Sequence, residues 1–260
     1  MFGLRKRRHK LLRAKPFPDE WHDILNRRLP CYGRLSPDER RELEGHIQVF
    51  LHEKRFEGAA GLDITDEMRV VIAAQACLLL LGRDTEYFPR MQSIFVYPRY
   101  FRVRDSRPMP DGTILEEEVE FEGESWERGP VVLAWEEVLA DAADPDDGYN
   151  VVLHEFAHQL DGESGEENGA PPIKDRALAA EWARVMGHEY EKLRTDIELG
   201  APHLIDAYGS ETPAEFFAVV TEIFFERPRA LKRRHPELYG LLARYYRRDP
   251  AGGAGRVPAV

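Results

Sequence analysis

Residues 151–160 read Val-Val-Leu-His-Glu-Phe-Ala-His-Gln-Leu, and within them His154, Glu155 and His158 form an HExxH pattern. The apolar Val151, Val152, Leu153, Phe156 and Ala157 favour a helix, which sets the two histidines one turn apart on one face, where both imidazoles can grip a single metal ion. Zinc suits such a pair, because it accepts imidazole nitrogen at about 2.0 Å and imposes little geometry of its own. Glu155, beside the first histidine, can take the proton of a water activated there, which is the machinery of metal-assisted peptide hydrolysis. The chain carries its own controls: His52-Glu53 meets Phe56 at the fourth position and His188-Glu189 meets Lys192, so neither completes the pattern.

Two histidines do not close a catalytic zinc site; a third protein ligand is needed, with the fourth position left to water. The downstream candidates are Glu181, His188, Glu189, Glu198, His203, Glu211, Glu215 and Glu222. Glu215 and Glu222 stand out, being seven apart on one stripe of a helix that starts at Thr212 and is otherwise built from residues such as Phe216, Phe217, Val220 and Phe224. A carboxylate on so apolar a helix needs a partner. Thr212-Pro213-Ala214-Glu215 also reads as a capping box, which gives Glu215 a second possible task, so the residues alone leave Glu215 and Glu222 both open.

The elements that must hold these side chains can be read from the rest of the chain. Its 260 residues, 43% of them hydrophobic, suffice for a buried core. A formal charge of −11 argues against general nucleic-acid binding, since no net positive field draws in phosphate. Cys31 and Cys77 have neither metal-site nor disulfide-framework spacing, so reduced thiols and a cytoplasmic location are expected. No secretion signal is visible, and the longest apolar run, 12 residues from Val70 to Leu81, reads as a buried helix and not a membrane span.

Arg5, Lys6, Arg7, Arg8, Lys10, Arg13 and Lys15 make the first fifteen residues a basic, solvated tail by expectation. Ser36-Pro37-Asp38-Glu39 starts a helix over 37–54, and Thr65 starts another that stops at Gly82. Residues 93–103 favour strand, Pro108 to Gly112 a turn, and Glu118-Val119-Glu120-Phe121-Glu122 an alternating strand. Val131 to Trp135 reads as a short apolar strand that Pro130 places most comfortably at a sheet edge, where an extended peptide could add as a further strand; a plain core strand is the alternative. Helices are expected over 176–194, 212–226 and 236–247.

The segments His154 to Asp161, Ile205-Asp206-Ala207-Tyr208 and Thr212 to Ala218, with Gly129 to Trp135 and Tyr245 to Pro250, resemble the Mlc titration factor A family of bacterial zinc peptidases in order and spacing. The resemblance covers roughly residues 15–250. It implies that His154, His158 and Glu215 hold one zinc ion per chain, that Glu155 is the general base, and that Tyr208 is catalytic. Tyr208 stands seven residues before the third ligand, as in the related catalytic domain of anthrax lethal factor, where a phenol can donate to the developing oxyanion. Where lethal factor has a second glutamate one turn after the ligand, this chain has Val219, so an outer carboxylate must come from Glu222 or Asp161.

Together these readings predict an α+β, mostly helical, zincin-like metallopeptidase with a small mixed sheet whose edge strand lies beside the HExxH helix. The expected organisation is a basic tail over 1–15, a single domain over 16–250 with a helical part (16–90) and a catalytic part (91–250), and an unstructured tail over 251–260. The resemblance further implies aminopeptidase-type cleavage of small peptide substrates and sequestration of a glucose-responsive, Mlc-like transcriptional repressor. Neither a membrane nor nucleic acid is expected as a direct partner.

Overall fold

A computed structural model describes residues 2–83, 86–99, 101–108, 114–121, 123–125 and 129–252. The architecture is α+β and mostly helical. Eleven described helices surround a small sheet: α1 (Phe2–Arg13), α2 (Asp19–Arg28), α3 (Pro30–Arg34), α4 (Pro37–Glu53), α5 (Asp66–Leu78), α6 (Trp135–Ala143), α7 (Val151–Asp161), α8 (Arg176–Glu198), α9 (Pro213–Glu226), α10 (Pro228–Arg234) and α11 (Pro236–Tyr246).

The sheet contains β1 (Arg55–Gly58), β2 (Ser93–Tyr97), β5 (Gly123–Ser125) and β6 (Val131–Ala134), in the order β1-β2-β6-β5. β1, β2 and β6 run parallel, with Phe56 opposite Ile94 and Ile94 opposite Val131. β5 runs antiparallel to β6, with Glu124 opposite Val132, and forms the edge that lies against α7. A separate antiparallel ribbon joins β3 (Phe101–Pro108) to β4 (Ile114–Phe121).

Helix starts follow local chemistry. Ser36 accepts from the Glu39 backbone while Glu39 returns a bond to the Ser36 backbone, so the capping box forms in full. Thr65, Asn150 and Thr212 cap α5, α7 and α9 in turn. The core runs through α5, whose Val70, Val71, Ile72, Ala73 and Ala74 are fully buried. Phe156, on the inward side of α7, packs edge-on to Phe88 at 4.8 Å and against Phe50 at 5.6 Å between ring centroids. These aromatic contacts fix the rotation of α7 about its axis, and therefore the direction of its histidine face.

Two expectations need correction. The basic start is not a free tail: residues 2–13 form α1, pinned to α4 because Glu53 accepts from Arg5 at 2.8 Å and faces His9 at 2.6 Å, while Leu12 is buried. β6 is not the edge, since β5 covers its outer side, and its last expected residue, Trp135, instead opens α6. α2, α3, α6 and α10, each ten residues or fewer, are helices for which the sequence offers no reading, being too short to show a clear period. The turn expected at 108–112 lies, beyond Pro108, outside the described residues, as do residues 253–260 of the expected C-terminal tail. No helix among the described residues is long and apolar enough to cross a membrane.

Candidate metal centre

α7 and α9 pack side by side, and the centre forms where their inward stripes meet. His154 and His158, one turn apart, present Nε2 atoms 3.2 Å from each other. Oε2 of Glu215, in the first turn of α9, lies 3.0 Å from His154 Nε2 and 3.3 Å from His158 Nε2. The three atoms thus form a nearly equilateral triangle. Ligands about 2.0–2.1 Å from a tetrahedral ion sit about 3.3–3.4 Å apart, so the spacing and the two-imidazole, one-carboxylate chemistry fit zinc. Among the described residues these three are a group able to hold a metal ion.

Glu222 completes the arrangement from behind. Its Oε1 lies 2.7 Å from His154 Nδ1, and its Oε2 accepts from the Asn150 backbone at 2.7 Å. One carboxylate therefore orients the imidazole and ties down the start of α7. An Nδ1–H bond to that carboxylate leaves Nε2 as the lone-pair donor facing the centre. Asp161, fully buried, does something different: its Oδ2 accepts from the Gly169 backbone at 2.6 Å. Gly169 has φ +76°, and a Cβ there would lie 2.3 Å from the Pro213 carbonyl oxygen. The loop after α7 is thereby pressed onto the first residue of α9, two before Glu215.

Glu155 is 4% exposed, and its Oε2 has no hydrogen-bond partner among the described residues. Burial drives its pKa up to about 7 despite the opposing pull of the two histidines. Burial also acts to raise the Glu215 pKa, but the two imidazoles outweigh it and hold the group down at about 2. At His154 burial acts to lower the pKa, and the bonds to Glu215 and Glu222 carry it well above the ordinary value.

Tyr208 lies on the single 3-10 turn Ala207–Ser210 that precedes α9, its ring centroid 5.9 Å from that of His154 and 47% exposed at the mouth of the cleft. His154, Glu155, His158, Tyr208 and Glu215 all line one cleft of about 730 Å³. The other third-ligand candidates are elsewhere; Glu189, for example, faces His235 at 2.7 Å. Two cleft features escaped the sequence. Tyr149 donates to Asp206 Oδ2 at 2.7 Å, and α6 contributes Glu137 and Asp141 to the wall. Tyr149 gives a usable signal, an aromatic just before the motif helix; Glu137 and Asp141 give none, because the nine residues of α6 carry too little periodicity to stand out as a helix.

The family described as glucose-regulated metallo-peptidase M90 matches residues 4–247. The chain belongs to this family. Among its relatives, an uncharacterised protein of Synechocystis sp. is 45% identical over 245 residues, covering 94% of this chain and 89% of that protein. Proteins named Mlc titration factor A from Yersinia pestis and Yersinia pseudotuberculosis are each 33% identical over 236 residues, covering 89% of this chain and 85% of theirs. Within the M90 match fall both elements of the centre, α7 and α9.

Proposed function

We propose that this M90 family member is a zinc-dependent peptidase of aminopeptidase type, with His154, His158 and Glu215 as the metal ligands and Glu155 and Tyr208 as the catalytic residues. The single observation that carries the reading is the triangle of two imidazole nitrogens and one carboxylate oxygen, with sides of 3.0, 3.2 and 3.3 Å, next in the chain to a buried carboxylate, Glu155, with an oxygen that has no partner among the described residues. A zinc ion held there supplies Lewis acidity, which acidifies water and polarises a peptide carbonyl.

The chain's own groups do the rest. Glu155 accepts the proton of the attacking water at its free Oε2 and then delivers it to the departing amine. Its near-complete burial shields the group from competing bulk water while it does so. Tyr208 donates its phenolic hydrogen to the carbonyl oxygen as negative charge develops there. Glu222 keeps His154 in one tautomer and orientation throughout. The reading places the protein in the cytoplasm, in keeping with the free cysteines Cys31 and Cys77.

The test is Glu155→Gln assayed on peptide substrates with zinc content measured in parallel. The variant should keep one zinc per chain and lose hydrolysis by at least about a hundredfold; parental turnover would overturn the assignment.

A second reading, capture of an Mlc-like transcriptional repressor, is favoured by the name the Yersinia relatives carry. Such capture needs a surface and not a reaction, so it can coexist with catalysis. If the Glu155→Gln protein still binds the repressor, capture is independent of hydrolysis; if neither protein binds it, this second reading falls.

A further inference from the structure

The cleft sorts its charges. Besides the groups already assigned, it is lined by Glu137, Asp141, Glu167 and Asp206, and among the described residues no lysine or arginine lines it. On the other side of Asn150 and Asp141, a neighbouring cavity of about 760 Å³ is mixed in charge: Arg34 and Arg248 pair with Asp146 and Glu39, and Arg227, Arg229, Arg233 and Glu226 also line it. Among the described residues, then, arginines accompany carboxylates in the neighbouring cavity, while the cleft itself has carboxylates without them.

Glu137 and Asp141 are the informative pair. They lie one turn apart on α6 and line the same wall. Asp141 Oδ2 accepts from the Val151 backbone at 2.8 Å, which fixes one carboxylate at the start of the motif helix. Glu137 has no counter-ion among the described residues. Two like charges at this spacing repel, and burial together with that repulsion lifts Asp141 to about 7. Glu155, whose buried Oε2 has no hydrogen-bond partner among the described residues, lines the same cleft, a second observation that points to a ligand there.

We infer that the cleft selects cationic peptides, those with a lysine or arginine side chain next to the scissile bond, and that Glu137 is a specificity-determining residue. This rests on the peptidase reading above and adds the substrate class. A cation entering a partly desolvated wall of carboxylates gains attraction that bulk water would screen, whereas an acidic side chain meets like charge.

The test compares kcat/KM for lysyl, arginyl, alanyl and glutamyl p-nitroanilides on the zinc-loaded enzyme and its Glu137→Gln and Glu137→Lys variants. Binding of Lys-Ala-Ala and Glu-Ala-Ala to the Glu155→Gln protein is measured by calorimetry alongside. Lysyl and arginyl substrates should exceed glutamyl by at least about tenfold, and Glu137→Lys should shrink that ratio by about tenfold, with Glu137→Gln between. The preference should weaken as salt rises. Equal rates on lysyl and glutamyl substrates, or an unchanged ratio in Glu137→Lys, would overturn the inference. If no substrate is cleaved, the peptidase reading fails, and the calorimetry still decides this one: tighter Lys-Ala-Ala binding upholds it and equal binding ends it.

Discussion

Glu222 Oε1 lies 2.7 Å from Nδ1 of His154, on the side of the ring away from Glu215. The imidazole is therefore held between two carboxylates of one helix, α9, seven residues and about two turns apart. This relationship explains why so apolar a helix carries two glutamates: Glu215 faces the proposed ion, and Glu222 holds the ligand that faces it.

Glu222→Ala should lower zinc affinity by about 10–100-fold, because His154 loses its orienting partner and the Asn150 backbone loses its acceptor. Glu222→Gln, which keeps an acceptor oxygen, should fall short of that loss. Competition against a fluorescent chelator measures both, and parental affinity in Glu222→Ala would refute the positioning role.

The sequence made the centre's ingredients legible because short-range chemistry dominates there. HExxH spacing follows directly from helical geometry, and the Thr212 cap that starts α9 does form, its hydroxyl accepting from the Glu215 backbone at 3.1 Å. What remained open was which of Glu215 and Glu222 faces the histidines. Both lie on one stripe, and only the packing angle between α7 and α9 assigns them different nitrogens of the same ring. The start of the chain misled for a related reason. Seven cations in fifteen residues read as a solvated tail, but the acceptor that anchors them, Glu53, is more than forty residues away. α6 was missed because nine residues with a strand-like entry carry too little periodicity to be told from the preceding apolar run.

That anchor gives a pH dependence. Burial acts to raise the Glu53 pKa, but hydrogen bonds from Arg5 and His9 outweigh it and bring the value from 4.5 to about 2. A depressed carboxyl contributes stability that is complete above its unfolded value and is lost as pH falls through its folded one. Docking of α1 on α4 should therefore weaken between about pH 4.5 and pH 2. Amide hydrogen exchange in α1 should rise over that window in the parent, and Glu53→Gln should show the raised exchange already at neutral pH. An α1 equally protected in both proteins at pH 7 would contradict the anchor.

Gly169 is expected to be intolerant of a side chain. With φ at +76° and a Cβ that would fall 2.3 Å from the Pro213 carbonyl, Gly169→Ala must displace either the loop or the start of α9. We expect a loss of about 1–3 kcal/mol in stability and a weaker grip on zinc, since Glu215 lies two residues beyond Pro213. Thermal unfolding and zinc titration of the variant check both effects; parental values in both would show that the loop does not position the ligand.

The central claim is tested most directly by diffraction from zinc-loaded crystals on either side of the zinc absorption edge. The account predicts one anomalous peak per chain, about 2.0–2.2 Å from His154 Nε2, His158 Nε2 and a Glu215 carboxylate oxygen, with Glu155 beside the remaining coordination position. A peak bound by other residues, or Glu215 turned away from the two imidazoles in the zinc-loaded protein, would contradict it.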